Sequence, residues 1–134
     1  MRGVTINVVG DGTPTRSYLY ASDLSVWLWT LLFKAPSARA YNIGSSEGKS
    51  IRGVAETVAL AIGGHAKVSV NKQSKPNVPV SRYVPSITKA IDQMGLQVRV
   101  SLVQGIIKTA VWYGWAPSNK VGCTGEFKEK IIHT

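Results

Sequence analysis

The apolar positions fall into short groups divided by turn residues, and their spacing changes from group to group. VTINVV (4–9) alternates apolar with polar, the period of a half-buried strand, and ends at Gly10 and Gly12. RSYLY (16–20) reads as a second short strand. Ser22 then offers a helix N-cap, with Asp23 placed to favour the helix dipole. From Leu24 to Lys34 the pattern loses its polar side. Leu24, Val26, Trp27, Leu28, Trp29, Leu31, Leu32 and Phe33 cover nearly every direction around the axis, and such a helix is expected to be buried all round. RAYNIGS (39–45) reads as a strand leaving through Gly44, and EGK as a turn. Ser50 caps a second helix, whose stripe is Ile51, Val54, Ala55, Val58 and Ile62 and whose stop is Gly63-Gly64. AKVSV (66–70) predicts a strand. Residues 71–85 carry Pro76, Pro79 and Pro85 and read as a long loop. A short helix from Ser86 to Met94 stops at Gly95, and LQVRV is extended. Ser101 and Gln104 have capping-box spacing for a last helix reaching Tyr113, with Leu102, Ile106, Ala110 and Tyr113 on its apolar face. The pattern fades after Gly114. The reading is an α/β chain of about four helices with short strands.

The size, 134 residues, suits one domain able to bury a core. Sixteen Lys and Arg against seven Asp and Glu give a net charge of +9, which favours anionic partners such as phosphate esters, nucleic acid or acidic lipid. The basic residues are dispersed from Arg2 to Lys130 rather than gathered in an arm, so a merely basic surface explains them equally well. Cys123 stands alone, which excludes an intrachain disulfide and fits a reducing, cytoplasmic compartment. No signal peptide is expected in MRGVTINVVGDG, and the longest apolar run, Leu24–Phe33, is too short to span a bilayer.

Catalytic chemistry is not assembled by these residues. His65 and His133 lack Cys or carboxylate neighbours at ligand spacing, so no metal site is expected. The seven acidic residues show no convincing pair at helical spacing, and no P-loop is present. The remaining candidates suit binding. Arg16 follows the turn GDGTPT, and Arg82 sits late in the proline-rich loop. Guanidinium groups hold phosphate with a planar fork of donors, and two converging arginines would suit a diphosphate. Two surface arginines in unrelated ion pairs fit the spacing as well. Asn42 within YNIGS is out of place in a strand interior, and either bonds nearby backbone or faces a polar ligand. The Trp27/Trp29 pair is read as core rather than as a stacking platform.

Four ordered blocks carry a family likeness: GDGTPTRSYLYASDL, AYNIGSSEGKSIRGVAETVALAIG, RYVPSITKAIDQMGL and SLVQGIIKTAVWY. Together they resemble the C-terminal part of the extended short-chain dehydrogenase/reductase family, nearest to its NAD-dependent nucleotide-sugar epimerases and 4,6-dehydratases. The likeness spans residues 1–115, and a tail, 116–134, lies outside it. It implies a substrate (nucleotide-sugar) binding portion with late elements of a Rossmann fold, AYNIGS being one strand of the Rossmann sheet. It implies that Arg16 lies near the nucleotide diphosphate. Arg82 is given a similar part through YVPSI, where Ser86 replaces the family's Asp and Arg82 stands three rather than two residues before Pro85.

The family's NAD needs a glycine-rich loop and its chemistry a Tyr-x-x-x-Lys pair. Neither occurs here: Ser22, Leu24, Ser45, Ile87 and Pro117 follow Tyr18, Tyr20, Tyr41, Tyr83 and Tyr113 at that distance. The expectation is therefore a chain that lacks the N-terminal nucleotide-binding half, binds no cofactor and has no catalytic residue of its own. It would contact a nucleotide-sugar, without nucleic-acid or membrane partners, as a homodimer or together with the missing half. The alternatives are a non-catalytic basic module that binds polyanions and an inert truncated remnant.

Overall fold

The computed structural model describes residues 5–62, 66–73 and 79–116. Their elements, in chain order, are β1 (Thr5–Val8), β2 (Thr15–Ser17), α1 (Ala21–Lys34), β3 (Gly48–Ser50), α2 (Ile51–Ala61), β4 (Lys67–Val70), β5 (Arg82–Tyr83), α3 (Thr88–Met94) and α4 (Leu102–Trp112). The strands form two small sheets. β1 and β4 pair in parallel, from Thr5↔Lys67 to Val8↔Val70. The other sheet has the order β3-β2-β5, antiparallel between β2 and β3 and parallel between β2 and β5. α2 packs against β1, β3, β4 and α4, and so joins the two sheets, while α1 packs against α3.

The capping chemistry fixes the helix starts. Ser50 Oγ accepts from the Gly53 amide at 3.0 Å, as its position before the apolar stripe requires. At α4 the capping box is complete: the Gln104 amide donates to Ser101 Oγ, and the Ser101 amide donates to Gln104 Oε1. Gly95 ends α3 at φ 65°, in the left-handed region that glycine enters without a Cβ penalty.

The core gathers around one indole. Trp27 is 1% exposed and packs with Ile87, Ala90 and Leu96, while Leu19, Leu31, Tyr41, Ile43 and Met94 close the cluster from its sides. Its Nε1–H donates to the Gln97 carbonyl at 3.1 Å, so burying the indole leaves no orphan donor. One turn earlier, the buried Asp23 carboxylate accepts from the Arg99 and Val100 amides at 2.8 and 2.9 Å. These contacts bind α1 to the 96–100 segment.

Several sequence expectations are corrected. α1 starts at Ala21 with Tyr20 as N-cap, so Ser22 lies inside the helix. Nor is α1 buried all round. Trp27 faces the core, but Val26, Leu28, Trp29, Leu32 and Phe33 are exposed, Phe33 by 75%, because α3 and the 96–100 segment cover one side only. Trp29 is thus not core; its ring stacks on Phe33 with centroids 5.6 Å apart. Residues 39–45 form no strand. Both sheets lie elsewhere, and side chains from α3 hold this segment instead. Lys89 Nζ donates to the Ala40 carbonyl at 2.8 Å while standing over the Tyr41 ring, and Tyr41 Oη donates to Gln93 Oε1.

The expected turn at EGK is in part a strand, β3, since Gly48–Ser50 pairs with β2. β5 lies within the segment read as a loop, and the strand expected over 16–20 is confined to Thr15–Ser17. Tyr113 is 84% exposed rather than on a buried face. α4 is closest-packed at Gly105, where a Cβ would come within 2.9 Å of the Tyr20 ring. The Gly63-Gly64 stop, His65 and the tail beyond Ala116 fall outside the described residues, and with the tail Cys123 and His133.

Asp23 gives a direct test of this core. Asp23→Ala would leave two amides without an acceptor and should lower unfolding stability by about 1–3 kcal/mol. The neighbouring exposed Ser22→Ala should stay within about 0.5 kcal/mol of wild type. Urea denaturation of the three proteins checks this.

Candidate functional site

The loop between β1 and β2 is held from both sides. Asp11 Oδ1 accepts from the Thr13 amide at 3.1 Å and from Thr13 Oγ1 at 2.9 Å, a local turn closed by a carboxylate. Gly12 has φ 73°, and a Cβ there would stand 2.8 Å from Arg52 Cβ, so only glycine lets α2 approach this closely. The Ile51 and Arg52 amides donate to the Pro14 and Gly12 carbonyls at 3.0 Å each. The first amides of α2 are thereby occupied by the loop. The loop in turn is fixed where it feeds Thr15 into β2, the central strand of its sheet.

Register then decides which side chains meet. Arg16 stands opposite Lys49 on β3 and Tyr83 on β5, whereas Arg82 stands opposite Thr15. Directly opposed residues share a face, and successive residues alternate faces. Arg16 and Arg82 consequently project to opposite sides of the sheet and do not converge in this chain. On the Arg82 side neighbours press close to Gly48, while Arg82 itself is exposed. A Cβ at Gly48 would meet Val84 Cγ2 at 2.8 Å, Thr15 Cγ2 at 2.9 Å and Arg82 Nη1 at 3.3 Å. The Gly44-Ser45 turn closes over this side, with Ser17 Oγ donating to the Ser45 carbonyl and accepting from the Ser45 amide.

The opposite face is open. It carries Arg16, Lys49 and the 75%-exposed Tyr83, flanked by Glu47 and Ser81. Arg16 is half-buried, and its Nη1 donates to the Thr15 and Ser81 carbonyls while Nη2 donates to Ser81 Oγ. All these acceptors are neutral, so among the described residues they orient the guanidinium without compensating its charge. Asn42 lies elsewhere. Its Nδ2 donates to the Ser86 carbonyl at 3.0 Å, which ties the 40–43 segment to the approach to α3. The bond is to backbone, though to that of a distant segment rather than a neighbouring residue.

Beside the loop lies a groove of about 550 Å³, lined by Asp11, Thr13, Ser50, Arg52, Lys72 and Gln73 among others. Arg52 there is paired with Glu56 at 2.8 Å. Among the described residues no group of three His, Cys, Asp or Glu could hold a metal ion. Sequence reasoning missed Lys49 because EGK looked like a turn. It missed the separation of the two arginines because β5 was hidden in a proline-rich segment, so no register could be read.

No family model matches the chain. It is 26% identical over 117 residues to the trifunctional UDP-glucose 4,6-dehydratase/UDP-4-keto-6-deoxy-D-glucose 3,5-epimerase/UDP-4-keto-L-rhamnose-reductase of Arabidopsis thaliana, covering 87% of this chain and 17% of that protein. It is 30% identical over 106 residues to the probable GDP-L-fucose synthase 1 of Oryza sativa subsp. japonica, covering 79% of this chain and 31% of that one. Among solved structures, the UDP-glucose 4-epimerase of Thermotoga maritima with UDP-glucose superposes with a TM-score of 0.70 at 22% identity. That superposition covers 84% of this chain and 36% of the epimerase, and it shows a shared fold. The chain thus spans well under half the length of each of these proteins.

The loop has a measurable signature. The Thr13 amide, and after it the Thr13 hydroxyl, hold the Asp11 carboxyl below the usual carboxylate range. A carboxyl lowered on folding contributes stability above its unfolded pKa, and that contribution disappears as pH falls through the folded value. An NMR titration should find Asp11 ionising below an ordinary aspartate, and Thr13→Val should move its midpoint upward. An unshifted midpoint in wild type would contradict this loop geometry.

Proposed function

We propose that this chain, which matches the C-terminal part of extended short-chain dehydrogenase/reductase nucleotide-sugar epimerases and dehydratases, supplies the nucleotide-sugar contacts of such an enzyme and is not catalytic alone. One observation carries the reading. Arg16 emerges from a doubly anchored loop onto an open sheet face, its guanidinium oriented by neutral acceptors and free to meet an anion. An arginine so placed suits a diphosphate, which takes two parallel N–H donors from one guanidinium. Arg82 and Asn42 have weaker claims, since Arg82 projects from the face away from Arg16 and the Asn42 amide is engaged with Ser86.

Full-length relatives bind NAD. The start of α2 does not fit that cofactor. A dinucleotide pyrophosphate sits on a glycine-rich turn at a helix N-terminus. Here β3 runs straight into α2 through Ser50, and the amides of Ile51, Arg52 and Gly53 already donate to Pro14, Gly12 and Ser50. The steps left to this chain's residues are therefore to bind and orient a diphosphate. Hydride and proton transfer would need groups from outside this sequence. A cytoplasmic setting accords with the lone Cys123 and with such substrates.

The exposed apolar side of α1 and the unpaired 40–43 segment are read as surfaces for the remainder of such an enzyme. In its absence a second copy would cover them. Each large side chain left in water forfeits roughly 1.5–3 kcal/mol of burial, and several together rival the stability of a small domain. Light scattering at micromolar concentration should find a dimer, with Leu32→Glu shifting it towards monomer. A monomeric wild type that binds no apolar dye would contradict this.

Calorimetry tests the binding. One of the UDP-, GDP- or dTDP-sugars should bind in preference to the others, and Arg16→Ala should weaken it by about tenfold or more. Equal affinities for wild type and Arg16→Ala would overturn the assignment. Binding without nucleoside preference that collapses steeply with salt would indicate a general polyanion surface instead.

A further inference from the structure

We propose that Lys49 is a second cation of the same site, and that Lys49 and Arg16, directly opposed on β3 and β2, close on one diphosphate across the open sheet face. This rests on the reading of Arg16 given above and extends it to a residue outside that reading.

Arg16 and Lys49 are partners on an antiparallel pair. Directly opposed residues there hold their Cβ atoms about 4.5–5.5 Å apart, and like charges so placed destabilise the pair. Neither charge is well compensated from within. Arg16 meets the Thr15 and Ser81 carbonyls and Ser81 Oγ, all neutral. Lys49 Nζ stands 3.7 Å from Glu47 Oε1, with the two side chains 43% and 66% exposed. So loose and wet an ion pair contributes little.

The face therefore holds two adjacent positive charges and one exposed negative charge. A diphosphate resolves this imbalance, because its two phosphoryl groups can engage both cations at once. Glu47 then acts as an internal competitor, since it is the carboxylate Lys49 must leave to reach the ligand. On the opposite side of the sheet Arg82 stands across from Thr15, with Val84 and Gly48 beside it, and no second cation is opposed to it in the register. The start of α2 offers none either, as its amides are occupied. A lysine on an edge strand also has a plainer use, to discourage pairing with another chain. That use makes no demand on Arg16 or Glu47, and this separates the two explanations.

The experiment uses the whole chain and inorganic pyrophosphate, which carries the charge and no nucleoside. Thermal unfolding is followed with pyrophosphate and with sodium chloride at matched ionic strength. Wild type should gain stability from pyrophosphate beyond the salt control. Lys49→Met should bind pyrophosphate about tenfold more weakly, Lys49→Arg should retain most of the binding, and Glu47→Gln should bind it more tightly than wild type. Far-UV circular dichroism confirms that each variant is folded, and Lys49→Arg carries the comparison if Lys49→Met is not. Equal pyrophosphate affinity in wild type and Lys49→Met overturns the proposal, as does a wild type indifferent to pyrophosphate or a Glu47→Gln variant unchanged from wild type. Loss of pyrophosphate binding in Lys49→Met without preference for any nucleoside in the sugar panel would overturn the nucleotide-sugar reading while leaving the two-cation site in place.

Discussion

The burial of Trp27 is the constraint on which the helical half of this chain depends. It is the one large side chain wholly enclosed among the described residues, and its enclosure is polar as well as apolar, through the bond from Nε1 to the Gln97 carbonyl. Asp23, one turn away, takes the next two free amides of the same segment. The two side chains fasten α1 to residues 97–100, and those residues lead into the capping box of α4. α3 completes the enclosure through Ile87, Ala90 and Leu96 at its ends and centre. One face of α1 is thus strongly specified. The same arrangement leaves Val26, Trp29, Leu32 and Phe33 with little to cover them.

The sheet half obeys a different rule, in which crowding on one side creates openness on the other. Gly44, Gly48, Thr15 and Ser17 are small, and they let the 44–45 turn and Val84 press onto one face of β2. While Arg82 stands exposed on this face, Arg16, Lys49 and Tyr83 share the other. Arg16 is the centre of it because β2 is the central strand. The anchoring of GDGTP against α2 sets where β2 begins, and so which residues fall on which side. A slip of one residue would exchange the faces of Arg16 and of Thr15 and Ser17.

Local chemistry was legible in the sequence wherever one residue decides the outcome. The Ser50 cap, the Ser101–Gln104 box, the Gly95 stop and the loop leading to Arg16 all follow from side-chain oxygens or a missing Cβ acting over three or four residues. What depends on distant partners was not legible. Residues 39–45 have the composition of a strand, yet a strand needs a neighbour, and Lys89, Gln93 and Ser86 supply side-chain and carbonyl contacts instead. The circumference of α1 reads as buried because apolar content signals that cover is needed without showing that cover is present. Arg16 was found from its loop. Its relation to Arg82 and Lys49 hangs on a register between strands of two and three residues, which no periodicity could reveal.

The central claim is that a diphosphate-bearing ligand meets this chain on one face of one small sheet. Mapping amide chemical shifts of the isotope-labelled protein during titration with its preferred nucleotide-sugar tests this most directly. The account predicts changes concentrated at Thr15–Ser17, Gly48–Ser50 and Ser81–Tyr83, with the α1 and α4 amides little affected. Changes scattered over the dispersed basic residues, or centred on α4 and away from β2, would contradict it.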